Sequence, residues 1–172
     1  ARPGQQLWVS GQPGEARLAL EAFRGTLNPP LDAAAFEAAR ARMESPTPRV
    51  ALGLALRGLA TAAIDVSDGL LGDLAHLLRR SRVGVQLDLQ ALPVSPLLQT
   101  RPWAEQLDCV LAGGDDYELL FTAPADQAPA VRQAAAQAGV AVTCIGVIDA
   151  TPGLRLQQGG HNVPNRWTSF DH

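Results

Sequence analysis

The phrase Asp65-Val66-Ser67-Asp68-Gly69 sits between a short apolar run, Ala62-Ala63-Ile64, and a segment in which Leu70, Leu71, Leu74, Leu77 and Leu78 recur at helical spacing. Such a passage from strand into amphipathic helix commits the chain to layers, because the helix must lay its apolar stripe back on a sheet. A second acidic phrase, Gly113-Gly114-Asp115-Asp116-Tyr117-Glu118, leads straight into Leu119-Leu120-Phe121. The two phrases bring five carboxylates into strand-edge loops. Like charges at close range repel, and one or more would have to take up a proton. A divalent cation removes that difficulty, and oxygen-rich clusters suit Mg²⁺. The pattern points to Mg²⁺-assisted handling of a phosphorylated ligand.

The rest of the chain supports a layered reading. Residues 5–10 read as a strand and Gly11-Gln12-Pro13-Gly14 as a turn. A helix is predicted over 15–24 with Ala16, Leu20 and Phe23 on one side, stopped by Asn28-Pro29-Pro30. A second, Ala-rich helix is predicted over 31–43, with Asp32 as its candidate cap. After the extended connector Pro46-Thr47-Pro48, residues 49–60 read as a very apolar, buried helix. Residues 62–66 read as a short buried strand, and 70–80 as a helix whose closing Arg79-Arg80 suits the negative pole of the helix dipole. Alternation of Val83, Val85, Leu87 and Leu89 with polar residues or glycine predicts a half-buried strand. Further helices are expected over 103–111 and 127–138, and further strands over 118–122, 140–148 and 154–157. The tail from Arg166 to His172 reads as aromatic and irregular. The sum is an α/β (α+β) layered domain with a mixed β-sheet flanked by helices.

Composition narrows the function. The 172 residues suit one domain or one and a half, and 47% hydrophobic residues can bury a proper core. A net charge of −3 without a basic stripe argues against nucleic acid as a partner. No apolar run reaches membrane-spanning length, and no signal peptide opens the chain, so no membrane partner is expected. Cys109 and Cys144 sit in apolar stretches and read as buried thiols of a reducing, cytoplasmic setting. All 14 basic residues are arginine, which excludes a Walker-type phosphate loop and a lysine Schiff base in this chain.

Each motif has a plainer alternative. Ser67 and Asp68 at a helix start can present an anion site with the backbone N–H groups, and Gly69 permits close approach; Asp65 and Asp68 could flank a metal. Equally, Ser67 or Asp68 is an ordinary N-cap. Gly113-Gly114 before acids allows a tight turn close to a ligand, or simply a hairpin-like turn with solvated acids. If the segment is extended, Asp115 and Asp116 point to opposite sides, and Glu118 shares a side with Asp116. Trp167 or Phe170 could stack on a planar ring or pack on the core. The histidines His76, His161 and His172 lack metal-ligand spacing, and His76 reads as structural.

Taken together, these phrases resemble the thiamine-monophosphate kinase family, within the ATP-binding superfamily of aminoimidazole ribonucleotide synthetase and selenophosphate synthetase. The matching stretches are Arg2-Pro3-Gly4, Leu7 to Gly11, Pro46-Thr47-Pro48-Arg49 and Ala63 to Leu70 with Asp73-Leu74 and His76. They continue through Leu92 to Ser95, Gly113 to Leu119 with Phe121-Thr122, Cys144-Ile145-Gly146 and Phe170-Asp171-His172. Asp-Val-Ser-Asp-Gly-Leu followed by Gly-Gly-Asp-Asp-Tyr-Glu-Leu, in this order, is the specific part of the signal.

The resemblance implies that residues 1–172 are the C-terminal domain of a two-domain kinase about twice this size. A preceding domain carrying further metal-binding aspartates, much of the ATP site and the homodimer contact is expected outside the chain. The implied reaction is ATP- and Mg²⁺-dependent phosphorylation of thiamine monophosphate to thiamine diphosphate. By resemblance, Asp65 and Asp68 match metal positions, Ser67 an ATP-phosphate contact, and Asp115 and Phe170 substrate contacts. A Tyr often stands where this chain has Phe170, so stacking is kept and a hydroxyl lost. No catalytic base is assigned, since the attacking phosphate oxygen is already anionic, and Asp116 and Glu118 remain without a role. The alternatives are a sister ATP-dependent enzyme acting on another substrate and a non-catalytic ligand-binding module.

Overall fold

In a computed structural model, residues 1–167 are described. The chain opens with strand β1 (Gln6–Ser10), helices α1 (Glu15–Arg24), α2 (Ala33–Glu44) and α3 (Val50–Ala55), strand β2 (Ala62–Val66) and helix α4 (Leu70–Ser81). It continues with β3 (Gly84–Asp88), α5 (Pro96–Gln99), α6 (Trp103–Ala112), β4 (Glu118–Ala123), α7 (Ala128–Gln137), β5 (Val142–Asp149), β6 (Gly153–Gln158) and β7 (His161–Val163). The seven strands form one sheet in the order β2-β4-β1-β5-β3-β6-β7. Among the described residues only the β3–β6 pair is parallel, so the sheet is mixed as the sequence implies.

Strand alternation sends residues to two cores. On β1, Leu7 and Val9 join the leucines of α4 and α6, while Trp8 faces the other way, toward Leu52, Leu56 and α7. Trp8 stacks on its cross-strand partner Phe121, with ring centroids 6.4 Å apart, and the Arg132 guanidinium lies 5.2 Å from the Trp8 ring. One irregularity adjusts the register: Leu7 faces Gly146 but Trp8 faces Cys144, so β5 carries an extra residue at Ile145. Ile145 thereby turns into the α4 side while Cys144 stays on the Trp8 side.

Helix boundaries follow local chemistry. Asp32 caps α2 as predicted, accepting the Ala35 N–H at 2.8 Å. Gly25, in the left-handed region, closes α1 before the proline pair is reached. All five spaced leucines of α4 are buried.

Several expectations are corrected. The face that α1 buries is Ala16, Leu18 and Ala19; Phe23 is 53% exposed and packs edge-on against Phe36 of α2. The 49–60 segment is not a buried helix. It is α3 followed by a turn, with Leu52 and Leu56 under the sheet but Val50 65% and Leu54 60% exposed, because a single sheet face can cover only one side. Strand β2 is not fully buried either: it lies at the sheet edge, and Val66 is its one buried residue. Cys144 is half-buried, unlike Cys109. His76 is exposed on α4, where its Nδ1 lies 2.8 Å from the Arg79 guanidinium. Strand β7 and the one-turn helix α5 are additions.

Candidate functional site

The two acidic phrases do meet. Strands β2 and β4 are antiparallel neighbours in which Val66 faces Glu118, so the loop leaving β2 and the loop entering β4 lie side by side. The Asp115 N–H donates to the Ser67 carbonyl at 2.9 Å, and the Tyr117 N–H to the Val66 carbonyl at 2.9 Å. Gly114 makes this approach possible, since a Cβ there would stand 2.5 Å from the Ser67 carbonyl oxygen. Asp115 and Tyr117 both adopt positive φ, 65° and 51°. That conformation is costly for non-glycine residues and persists only where the surroundings hold it.

Neither plain alternative holds. Gly69 is the N-cap of α4, and no side chain caps that helix, so Ser67 and Asp68 are not its caps. Asp73, in the first turns of α4, reaches back to accept the Ser67 and Asp68 N–H groups at 2.9 and 3.1 Å. Asp73 is buried, and burial raises its pKa. Gly69 is pressed against the backbone of Ala112, so the close approach it allows is to α6. The second phrase is not a turn of solvated acids, because Glu118 is fully buried and Asp116 points inward.

A cleft of about 220 Å³ opens between the loops and the start of α1, lined by Ala16, Arg17, Leu20, Ser67, Asp68, Gly114 and Asp115. It unites three of the predicted site residues: Ser67, Asp68 and the exposed Asp115. Asp65 does not share it. Asp65 is exposed on edge strand β2 and borders a separate hollow of about 420 Å³ with Pro46, Pro48, Val50, Tyr117 and Leu119. Phe170 lies outside the described residues. Trp167 packs partly on the core, and its indole N–H donates to Asp108 at 2.7 Å.

Among the described residues, no three acids, histidines or cysteines are grouped to hold a metal ion. Mg²⁺ ordinarily takes one or two carboxylates, with waters and substrate phosphates completing its octahedron. Asp65 and Asp68, which open on different hollows, form no self-contained cage between them, and a Mg²⁺ at either would need most of its ligands from elsewhere.

The two acids without a predicted role turn out to be anchors. Asp116 Oδ2 accepts the Gly14 N–H at 2.8 Å, with a further bond from the Ala16 N–H. Helix α1 has no side-chain cap of its own, so Asp116 supplies one from across the chain, at the end of the helix that favours negative charge. Burial pushes the Asp116 carboxyl up to about 7, against the pull of those two N–H bonds. Glu118 holds Arg49 in a bidentate pair at 2.6 and 2.7 Å and accepts from Ser10 Oγ at 2.5 Å and from Arg42 at 3.3 Å. That bond raises the Arg49 pKa further. Arg17, Arg42 and Arg49 are site residues that the acidic motifs do not point to. Only Arg49 carried a signal, as the end of the Pro-Thr-Pro-Arg stretch.

The fold and the cleft define a class. The chain belongs to the AIR synthase related protein family, as its C-terminal domain, with residues 2–159 matching. Within the wider group it is similar to thiamine-monophosphate kinases. The Escherichia coli K12 enzyme is 39% identical over 174 residues, spanning 100% of this chain and 53% of that protein. The crystal structure of the Stenotrophomonas maltophilia enzyme superposes with a TM-score of 0.83 at 44% identity, covering 91% of this chain and 51% of the other. The structure of AaThiL complexed with AMPPCP and TMP superposes at 0.75 and 28% identity, covering 98% and 52%. The chain thus spans about half the length of the relatives it matches. No helix among the described residues is long and apolar enough to cross a membrane.

Proposed function

We propose that this chain is the C-terminal half of a two-domain thiamine-monophosphate kinase, transferring the γ-phosphoryl group of ATP to the phosphate of thiamine monophosphate. The observation that carries the reading is the single cleft shared by Ser67, Asp68 and Asp115, in a chain whose relatives are thiamine-monophosphate kinases.

In this reading Ser67 donates its hydroxyl to an ATP phosphate oxygen, and Asp65 and Asp68 are Mg²⁺ ligands. Bound Mg²⁺ would offset the repulsion between two polyanionic reactants. Asp115, presented at the mouth of the cleft, accepts hydrogen bonds from the aminopyrimidine or faces the cationic thiazolium. Phe170 packs on the substrate. The attacking phosphate oxygen is already anionic, so the chain's task is to bind and align, with no base required. The remaining half of the enzyme would complete the metal and ATP sites across the hollow that holds Asp65 and carry the homodimer contact. A cytoplasmic location fits a soluble biosynthetic kinase.

The test uses the full-length protein with ATP, Mg²⁺ and thiamine monophosphate, assayed for thiamine diphosphate, beside Asp65→Ala. Product that disappears in the variant supports both the activity and the metal role. No product from a folded full-length protein refutes the substrate assignment and favours a sister enzyme.

A further inference from the structure

The loop from Gly113 to Tyr117 is bonded to the end of β2 through the Tyr117 N–H, to Ser67 just beyond it through the Asp115 N–H, and to α1 through the side chain of Asp116. Asp116 stands between two residues of positive φ, where a loop needs an external hold to keep one shape. Its carboxylate accepts from the Gly14 and Ala16 N–H groups, at a helix start whose own N-cap residue, Gly14, offers no side-chain cap. Ala16, Arg17 and Leu20 line the cleft from α1, and Gly114 and Asp115 line it from the loop. We propose that Asp116 is a positioning residue: by tying the first turn of α1 to the loop carrying Asp115, it sets the spacing across the cleft in which the substrate is held. The assignment of that substrate as thiamine monophosphate rests on the kinase reading above; the coupling of the two walls does not.

Removing the carboxylate leaves two N–H groups at the start of α1 without their acceptor and frees the Asp115 loop from that helix. Misplacement by about 1 Å can cost a reaction up to about 100-fold. In the full-length enzyme, Asp116→Ala should lower kcat/KM for thiamine monophosphate about tenfold or more, with KM for ATP changed much less. Asp116→Asn keeps one acceptor oxygen and should show a smaller loss, so it also serves if the alanine variant fails to fold. A fall in melting temperature with kcat/KM for thiamine monophosphate unchanged would overturn the proposal and leave Asp116 as a plain helix cap. A wild-type enzyme that makes no thiamine diphosphate would refute the kinase reading instead. The wall coupling is then decided by amide NMR spectra of this chain. Shifts in Asp116→Asn that extend from Gly14 and Ala16 to the cleft residues Leu20 and Ser67 support it; shifts confined to Gly14, Ala16 and the sequence neighbours of Asp116 overturn it.

Discussion

Glu118 shows how much one side chain can organise. Its carboxylate, with no exposed surface, gathers Arg49, Arg42 and Ser10, and Ser10 Oγ in turn accepts the Leu119 N–H at 2.8 Å. A buried pair is costly to assemble but costlier to break, because the surviving charge is left without its partner. Glu118→Ala should therefore lower unfolding stability by about 3–5 kcal/mol, read as a shift in the urea midpoint. Gly11 belongs to the same arrangement, since a Cβ at that position would lie 2.0 Å from Glu118 Oε1. Asp116 makes stability pH-dependent. Its carboxyl has an ordinary value of 3.8 and stands near 7 in the folded chain, so the folded state holds that proton more tightly than the unfolded state does. Its contribution is complete below about 3.8 and is lost as pH rises toward about 7. Urea titrations between those limits should show wild type losing up to about 4 kcal/mol relative to Asp116→Asn, at about 1.4 kcal/mol per pH unit. Equal slopes for the two proteins would contradict that assignment. Neither role was legible in sequence: Glu118 and Asp116 read as members of an acidic phrase, but their partners lie 69 and 102 residues away.

At the level of elements, the legible parts were those with a strong period or a local cap. Helix α4 announced itself through five leucines on one face, and α2 through Asp32. Helix α2 buries only Ala39, so its stability leans on that cap. Asp32→Ala should cost about 1 kcal/mol and speed amide exchange in the first turn of α2 before it affects the sheet. Helix α3 departs from its expected full burial because apolar composition says nothing about how many sides are covered. Strand β7, with three residues, and α5, with four, are too short to carry a period and depend on their neighbours. The cleft itself depends on Gly114. Gly114→Ala should force the loop away from Ser67 and weaken substrate binding more than global stability, a split visible by comparing KM for thiamine monophosphate with the melting temperature.

For the whole molecule, two cores pack on opposite faces of a seven-stranded sheet among the described residues. The 172-residue chain should melt cooperatively in calorimetry yet show little or no kinase turnover. Measurable turnover by the purified chain would refute the division of labour proposed above. The sequence conveyed the layered class and the order of the strands along the chain. It could not convey that Asp65 and Asp68, three positions apart, would border different hollows, since the turn at Val66 to Gly69 redirects the chain between them.

The edge position of β2 has a consequence for solubility. Of its residues Ala62, Ala63, Ile64, Asp65 and Val66, only Asp65 is charged, and among the described residues no strand covers its outer side. Exposed strand edges invite pairing between molecules, and charged side chains deter it. In this chain taken alone Asp65 is the β2 residue that would deter such pairing, so Asp65→Ala, made to probe the proposed metal role, should also give a stickier molecule. Light scattering at increasing protein concentration should show self-association of the variant well before wild type, and restoring a charge with Asp65→Arg should suppress it without restoring activity.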